Sequence, residues 1–93
     1  MGATDLAFHG FVSGRVQGVF FRAETRRKAI ELGLSGLVKN LDDGRLEFLI
    51  SGSEQALALM RTWLQVGPRL ARVDQLLLEQ VNRSCGPGFH IHK

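Results

Sequence analysis

The sequence predicts an α+β sandwich whose elements run β-α-β-β-α-β, with two helices packed on one face of a four-stranded antiparallel sheet. Three observations carry that expectation. Short runs with apolar residues at every second position alternate with two longer runs whose apolar residues recur at helical spacing. Glycine, proline and aspartate fall at the junctions between these runs rather than inside them. The chain has 93 residues and no repeat or low-complexity tract, so it reads as one domain over 1–93 with its core over about 6–92. A globule of 10.3 kDa hides only about 64% of the surface its unfolded chain exposes, which calls for a compact core.

The first strand is Leu6 to Ser13, LAFHGFVS, with Leu6, Phe8 and Val12 on one face and Phe11 on the other. Apolar groups on both faces suit an interior strand. Phe21 to Leu32 follows as a helix with Phe21, Thr25, Ala29 and Leu32 on one stripe, Ile30 across from it and Gly33 as the stop. Residues 36–41, GLVKNL, and 45–51, RLEFLIS, form a hairpin about Asp42-Asp43-Gly44. Ser53 then has the side chain of an N-cap, ahead of a helix with Leu57, Met60 and Leu64 on its stripe and Trp63 at its margin. Gly67-Pro68 ends that helix. Residues 72–81 form a long strand, a Gly/Pro/Ser-rich loop covers 83–88, and Phe89 and Ile91 mark a short last strand read as a solvated edge. This order is the split βαβ, or ferredoxin-like, arrangement, a scaffold that hosts enzymes, metal carriers and RNA binders alike.

Composition narrows the function. Hydrophobic residues make up 44% of the chain and charged residues 23%, the balance of an ordinary globule. No apolar run reaches the roughly 18 residues that span a bilayer, so no membrane association is expected. The segment after Met1, Gly-Ala-Thr-Asp, has neither a basic region nor a long apolar one, so no cleaved leader is expected. The single cysteine, Cys85, has no internal disulfide partner, and a cytoplasmic setting follows as the default. A pI near 9.8 raises the question of nucleic acid. The first fifty residues carry seven basic and six acidic side chains and the rest five and three, so neither part is polarised. Nine of the twelve basic residues are Arg, which favours recognition of carboxylate or phosphate oxygens.

The segment richest in chemistry is Gly14-Arg15-Val16-Gln17-Gly18-Val19-Phe20-Phe21-Arg22, a loop running into a helix N-terminus. Free N–H groups and the positive end of the helix dipole make that position a seat for an oxyanion. Gly18 lets the backbone turn without a Cβ, and Arg22 in the first helical turn can add a guanidinium fork. By these residues alone, a plain loop with a surface arginine stays an open alternative. The Walker pattern G-x-x-x-x-G-K-[ST], the dinucleotide pattern G-x-G-x-x-G and the C-x5-R loop of cysteine phosphatases are all absent; Ile91 stands where the last would need arginine after Cys85.

GRVQGVFFR over Gly14 to Arg22 resembles the acylphosphatase signature G-[KR]-V-Q-G-V-x-F-R. Gly33-Leu34-Ser35-Gly36-Leu37-Val38-Lys39-Asn40 is similar to the second signature of the same family. The likeness runs from about Leu6 to Ile91 and departs at Leu37, where relatives often carry an aromatic, and at Leu41, where some carry Thr. It implies the ferredoxin-like fold and the hydrolysis of acyl phosphates to a carboxylate and inorganic phosphate, without metal or other cofactor. Carried over position by position, Arg22 and the backbone N–H groups of Arg15, Val16, Gln17, Gly18, Val19 and Phe20 would hold the phosphate. Asn40 would orient the attacking water. A neutral amide does not titrate, so Asn40 cannot be a general base. The expected partners are a small acyl phosphate and inorganic phosphate as product and inhibitor, with no nucleic acid and no membrane; the expected state is a monomer.

Other residues have plainer readings. His9 is a sheet-face residue, Met60 and Trp63 belong to the core, and Arg26-Arg27-Lys28 is a solvated helix face that helps draw in anions. His90, His92 and Cys85 imitate a metal set, but structural zinc ordinarily takes four ligands in recognisable spacing. Two rival functions stand beside the hydrolase. A noncatalytic phosphate or anion binder, alone or as part of a larger maturation enzyme, would not need both Arg22 and Asn40. An RRM-like nucleic-acid module needs several aromatics on its central strands, where Arg45 to Ser51 offers only Phe48.

Overall fold

The computed structural model describes residues 6–82 and 85–92. The segment Met1 to Asp5, on which the leader reading rests, lies outside them, as do Arg83 and Ser84 of the 83–88 loop and Lys93. The elements are β1 (Leu6–Arg15), α1 (Phe21–Glu31), β2 (Ser35–Asn40), β3 (Leu46–Gly52), α2 (Glu54–Val66), β4 (Arg72–Val81) and β5 (Phe89–His92). The two helices, the hairpin and the long fourth strand stand within a residue or two of their expected limits.

The sheet corrects the expectation in one respect. It has five strands in the order β4-β1-β3-β2-β5, not four, and β5 lies parallel to β2 instead of antiparallel. Val81, Ala7, Ser51, Ser35 and Phe89 fall at or within a residue of one row across it. The chain therefore leaves β4 on one edge and re-enters as β5 on the other. That crossing covers four strand spacings, roughly 19 Å, within the roughly 25 Å reach of seven extended residues. Cys85 lies by the end of β3, where its N–H donates to Ser51 Oγ at 3.4 Å. β5 is an edge strand, exposed beyond Phe89 as expected; it supplies partners to the outer side of β2, and Gly36 N–H also donates to the Gly88 carbonyl at 3.0 Å.

One core lies between the sheet and the helices. Phe8 and Val12 of β1, Val38 of β2, Leu46, Phe48 and Ile50 of β3, and Phe89 of β5 meet Phe21 and Ala29 of α1 and Leu57, Met60 and Leu64 of α2. The period-two alternation of β1 and β3 and the period-3.6 stripes of both helices account for this set. Trp63 packs at its margin, edge-on to Phe21 with ring centroids 5.8 Å apart. Ser53 caps α2 as expected, its Oγ accepting from Ala56 N–H at 3.2 Å. On the opposite sheet face His9 meets Glu47 at 2.7 Å, Lys39 meets the same carboxylate at 3.3 Å, and Arg45 lies 4.5 Å from the centre of the Phe11 ring.

Pairing directions decide where chemistry collects. β1 and β2 each run antiparallel to β3, and β5 runs parallel to β2, so β1, β2 and β5 all finish at the same end of the sheet. Their last residues are Arg15, Asn40 and His92.

Candidate active site

The loop Val16 to Phe20 leaves β1 at that common end and turns into α1. Its sequence anchors it: Val16 and Val19 are buried at 1% and 5% exposure, and Phe21 inserts into the core directly after it. Gly14 begins the departure at a break in the β1–β4 register, with φ of 123°; a Cβ there would run into the Arg72 carbonyl. Gly18 has φ of 74° and open space around it, so its role is conformational. Two side chains with apolar bodies are thus pinned inward while the backbone between them curves outward.

The residues Val16, Gly18, Phe20, Phe21, Arg22, Ala23, Asn40 and Ile91 line a cleft of about 290 Å³ at the N-terminus of α1. The first helical N–H groups have no intrahelical acceptor; the ladder begins with Glu24 N–H donating to the Phe20 carbonyl at 3.0 Å. Arg22 is the one charged residue lining the cleft among the described residues. Its Nη1 donates to the His92 carbonyl at 2.8 Å, so the end of β5 orients the guanidinium. Asn40 closes β2 on the side of the sheet that α1 covers, two residues beyond the core residue Val38. Its Oδ1 is buried and has no hydrogen-bond partner among the described residues. An unpaired buried acceptor is costly, and Asn40 is among the residues that line the cleft.

The sequence-predicted residues divide into two groups. Arg22, Asn40, Val16, Gly18 and Phe20 come together in the cleft. Arg15, Gln17 and Val19 do not line it. Arg15 ends β1 in solvent, and Val19 serves the core. The Gln17 side chain turns to the β2–β3 hairpin, where its Nε2 donates to the carbonyls of Leu41 at 2.8 Å and Arg45 at 3.0 Å. That amide bonds the loop to the turn following Asn40. Sequence reasoning missed Ile91 and the His92 carbonyl, because both depend on the unpredicted seat of β5 beside β2. Of the basic run on α1, Arg27 pairs with Glu24 and Lys28 with Glu31 at the surface, while Arg26 Nε donates to the Phe89 carbonyl at 3.1 Å and so holds β5. His9 stands on the outer sheet face, away from the cleft.

Comparison with known proteins gives consistent results. The sequence model of the family described as Acylphosphatase matches residues 8–91. An acylphosphatase of Pseudomonas paraeruginosa is 43% identical over 88 residues, which cover 95% of this chain and 97% of that one. An acylphosphatase of Thermus thermophilus is 47% identical over 81 residues, covering 87% and 92% of the two chains. The structure of an acylphosphatase from Coxiella burnetii superposes with a TM-score of 0.91 at 38% identity, over 95% of this chain and 93% of that chain.

Proposed function

Because the chain belongs to the acylphosphatase family, we propose that its cleft hydrolyses acyl phosphates by direct attack of water on a phosphate held by Arg22 and the N–H groups of the loop and first helical turn. The chain is an acylphosphatase, a hydrolase whose substrates are small acyl phosphates. The residue roles are our reading. The observation that carries it is the convergence of Arg22, the N-terminus of α1 and the unpartnered Oδ1 of Asn40 in one cleft.

Phosphoryl transfer passes through a loose transition state, so the protein's task is to position reactants and stabilise charge on the equatorial oxygens. Arg22 and the helix N-terminus supply that charge complement. Asn40 Oδ1 accepts a hydrogen bond from the water and aims its oxygen at phosphorus. The water oxygen forms the new P–O bond, the bond from phosphorus to the carboxyl oxygen breaks with its electron pair leaving on the carboxylate, and the water's proton passes to a phosphate oxygen. A carboxylate is a weakly basic leaving group, so no general acid is required.

We extend the reading to a cytoplasmic monomer that engages neither nucleic acid nor membrane. The excess of positive charge is spread along the chain without a polarised part, and no helix is long and apolar enough to cross a membrane among the described residues. An RRM-like role is disfavoured because Phe48, the aromatic such a role would expose on β3, is fully buried under the helices. The test is release of inorganic phosphate from benzoyl phosphate. We expect turnover that survives a chelator and is inhibited competitively by inorganic phosphate; absence of release, or its loss on chelation, overturns the proposal.

A further inference from the structure

Phe20 is the one non-glycine residue with positive φ among the described residues, at φ 63° and ψ 21°. A left-handed backbone is costly for a bulky side chain and easy for glycine, so a ring at this position requires a reason. Folding does not supply one. The Phe20 side chain makes no capping hydrogen bond and is 73% exposed, whereas its neighbours Val19 and Phe21 are buried on either side and hold the backbone in place. The ring stands instead on the wall of the cleft that contains Arg22 and Asn40.

The geometry of the reaction says what meets it. In an in-line displacement the attacking and departing oxygens lie on opposite sides of phosphorus. On the hydrolase reading, the buried and unpartnered Oδ1 of Asn40 takes the water side. The carboxyl oxygen and the acyl group attached to it therefore project toward the open side. Among the apolar residues lining the cleft, Val16 and Phe21 are buried at 1% and 2% exposure and Ala23 is small. The two large apolar side chains exposed there are Phe20 and Ile91, at 73% and 42%. Burying part of an acyl group against them removes apolar surface of both partners from water, and an aromatic acyl group gains ring contact as well.

Resting on the hydrolase reading above, we propose that Phe20, backed by Ile91, forms the acyl-group subsite, making this enzyme selective for acyl phosphates with aromatic or bulky apolar acyl groups over short ones. Phe20 touches the acyl body and none of the reacting atoms, so it is a specificity-determining residue.

The test compares kcat/KM for benzoyl phosphate and acetyl phosphate in the intact chain and in Phe20→Gly, Phe20→Asn, Phe20→Tyr and Ile91→Ala. Glycine and asparagine both tolerate the left-handed backbone, so these two variants keep the loop conformation. The ratio of benzoyl to acetyl kcat/KM should fall about tenfold in Phe20→Gly and Phe20→Asn, mostly through a higher KM for benzoyl phosphate, in line with the modest worth of one apolar contact. Ile91→Ala should lower it by about threefold, and Phe20→Tyr, which retains a ring, should keep most of it. A general loss of loop geometry would lower both substrates together and leave the ratio alone. An unchanged ratio in Phe20→Gly overturns the acyl subsite and leaves the hydrolase reading intact. Failure of the intact chain to hydrolyse either compound overturns the hydrolase reading and the subsite with it.

Discussion

The side-chain amide of Gln17 donates to the Leu41 carbonyl at 2.8 Å, joining the loop between β1 and α1 to the residue that follows Asn40. A second bond from the same nitrogen reaches Arg45 at 3.0 Å on the other side of the turn. Two parts of the site that are 24 residues apart in sequence are thus fixed relative to each other by one side chain. For catalysis by positioning, an error of about 1 Å between the held phosphate and the water-aiming amide costs on the order of a hundredfold in rate.

Gln17→Ala should therefore lower kcat by about tenfold or more while reducing stability by only about 1 kcal/mol, since each carbonyl also accepts from the turn's own backbone. Gln17→Glu should be worse on both counts, because an ionised carboxylate would face two carbonyl oxygens. Steady-state kinetics on benzoyl phosphate beside urea midpoints for both variants check this; equal kcat in Gln17→Ala and the parent would remove the positioning role.

Much of this architecture is legible in the sequence. Period-two runs locate β1, β3 and β4, helical stripes locate α1 and α2, and the two glycine-bearing motifs mark the loop and Asn40. What is not legible has a common cause. A run such as Phe89–His92 says which residues share a face, but alternation does not say which strand they pair with, so the parallel seat beside β2 is invisible. Ile91 and the His92 carbonyl are hidden with it. The Gln17 bonds are hidden for a related reason: they follow from β1 and β2, on either side of β3, ending at the same end of the sheet, a tertiary fact with no local signature.

Thr25 offers a test of the core. It sits on the buried stripe of α1 at 0% exposure, and its Oγ1 has no hydrogen-bond partner among the described residues. An unsatisfied buried hydroxyl costs about 1–3 kcal/mol. Valine has nearly the same shape and a helix propensity close to that of threonine. Thr25→Val should accordingly stabilise the protein by about 1 kcal/mol, read as a higher urea midpoint with an unchanged m-value; a lower midpoint would mean that the hydroxyl is satisfied in solution.

Glu47 governs part of the acid response. His9 hydrogen-bonds its carboxylate on the outer sheet face, Lys39 lies beside it, and these hold the Glu47 carboxyl below the usual carboxylate range; Glu79 stands on the far side of His9. A carboxyl whose folded value is depressed contributes stability that is present above its unfolded pKa, about 4.3, and lost as pH falls through the folded value. Glu47→Gln should therefore be less stable than the parent by up to about 1 kcal/mol near neutral pH, with the gap closing below about pH 4. Urea titrations across that range check the sign: a gap that widens in acid would contradict the assignment.

Asn40 and Arg22 share a cleft but should fail differently when changed, and the difference separates their roles. In the proposed mechanism Arg22 bears the charge that faces the phosphate, so Arg22→Gln would remove an interaction made in both the bound state and the transition state. Loss of a charge-assisted hydrogen bond is worth about 1.5–3 kcal/mol, so inorganic phosphate should inhibit roughly ten- to a hundredfold more weakly, and kcat should fall as well. Asn40→Ala leaves the anion seat in place and removes only the acceptor that aims the water, so kcat should fall by about a hundredfold or more with KM and phosphate inhibition little changed. Asn40→Asp adds a further distinction. It retains an acceptor oxygen yet brings a negative charge toward a phosphate dianion, so it should raise KM where Asn40→Ala does not. Measuring kcat, KM and phosphate inhibition for the three variants decides the matter: full kcat in Asn40→Ala would leave the water without its guide, and unaltered phosphate inhibition in Arg22→Gln would place the anion elsewhere.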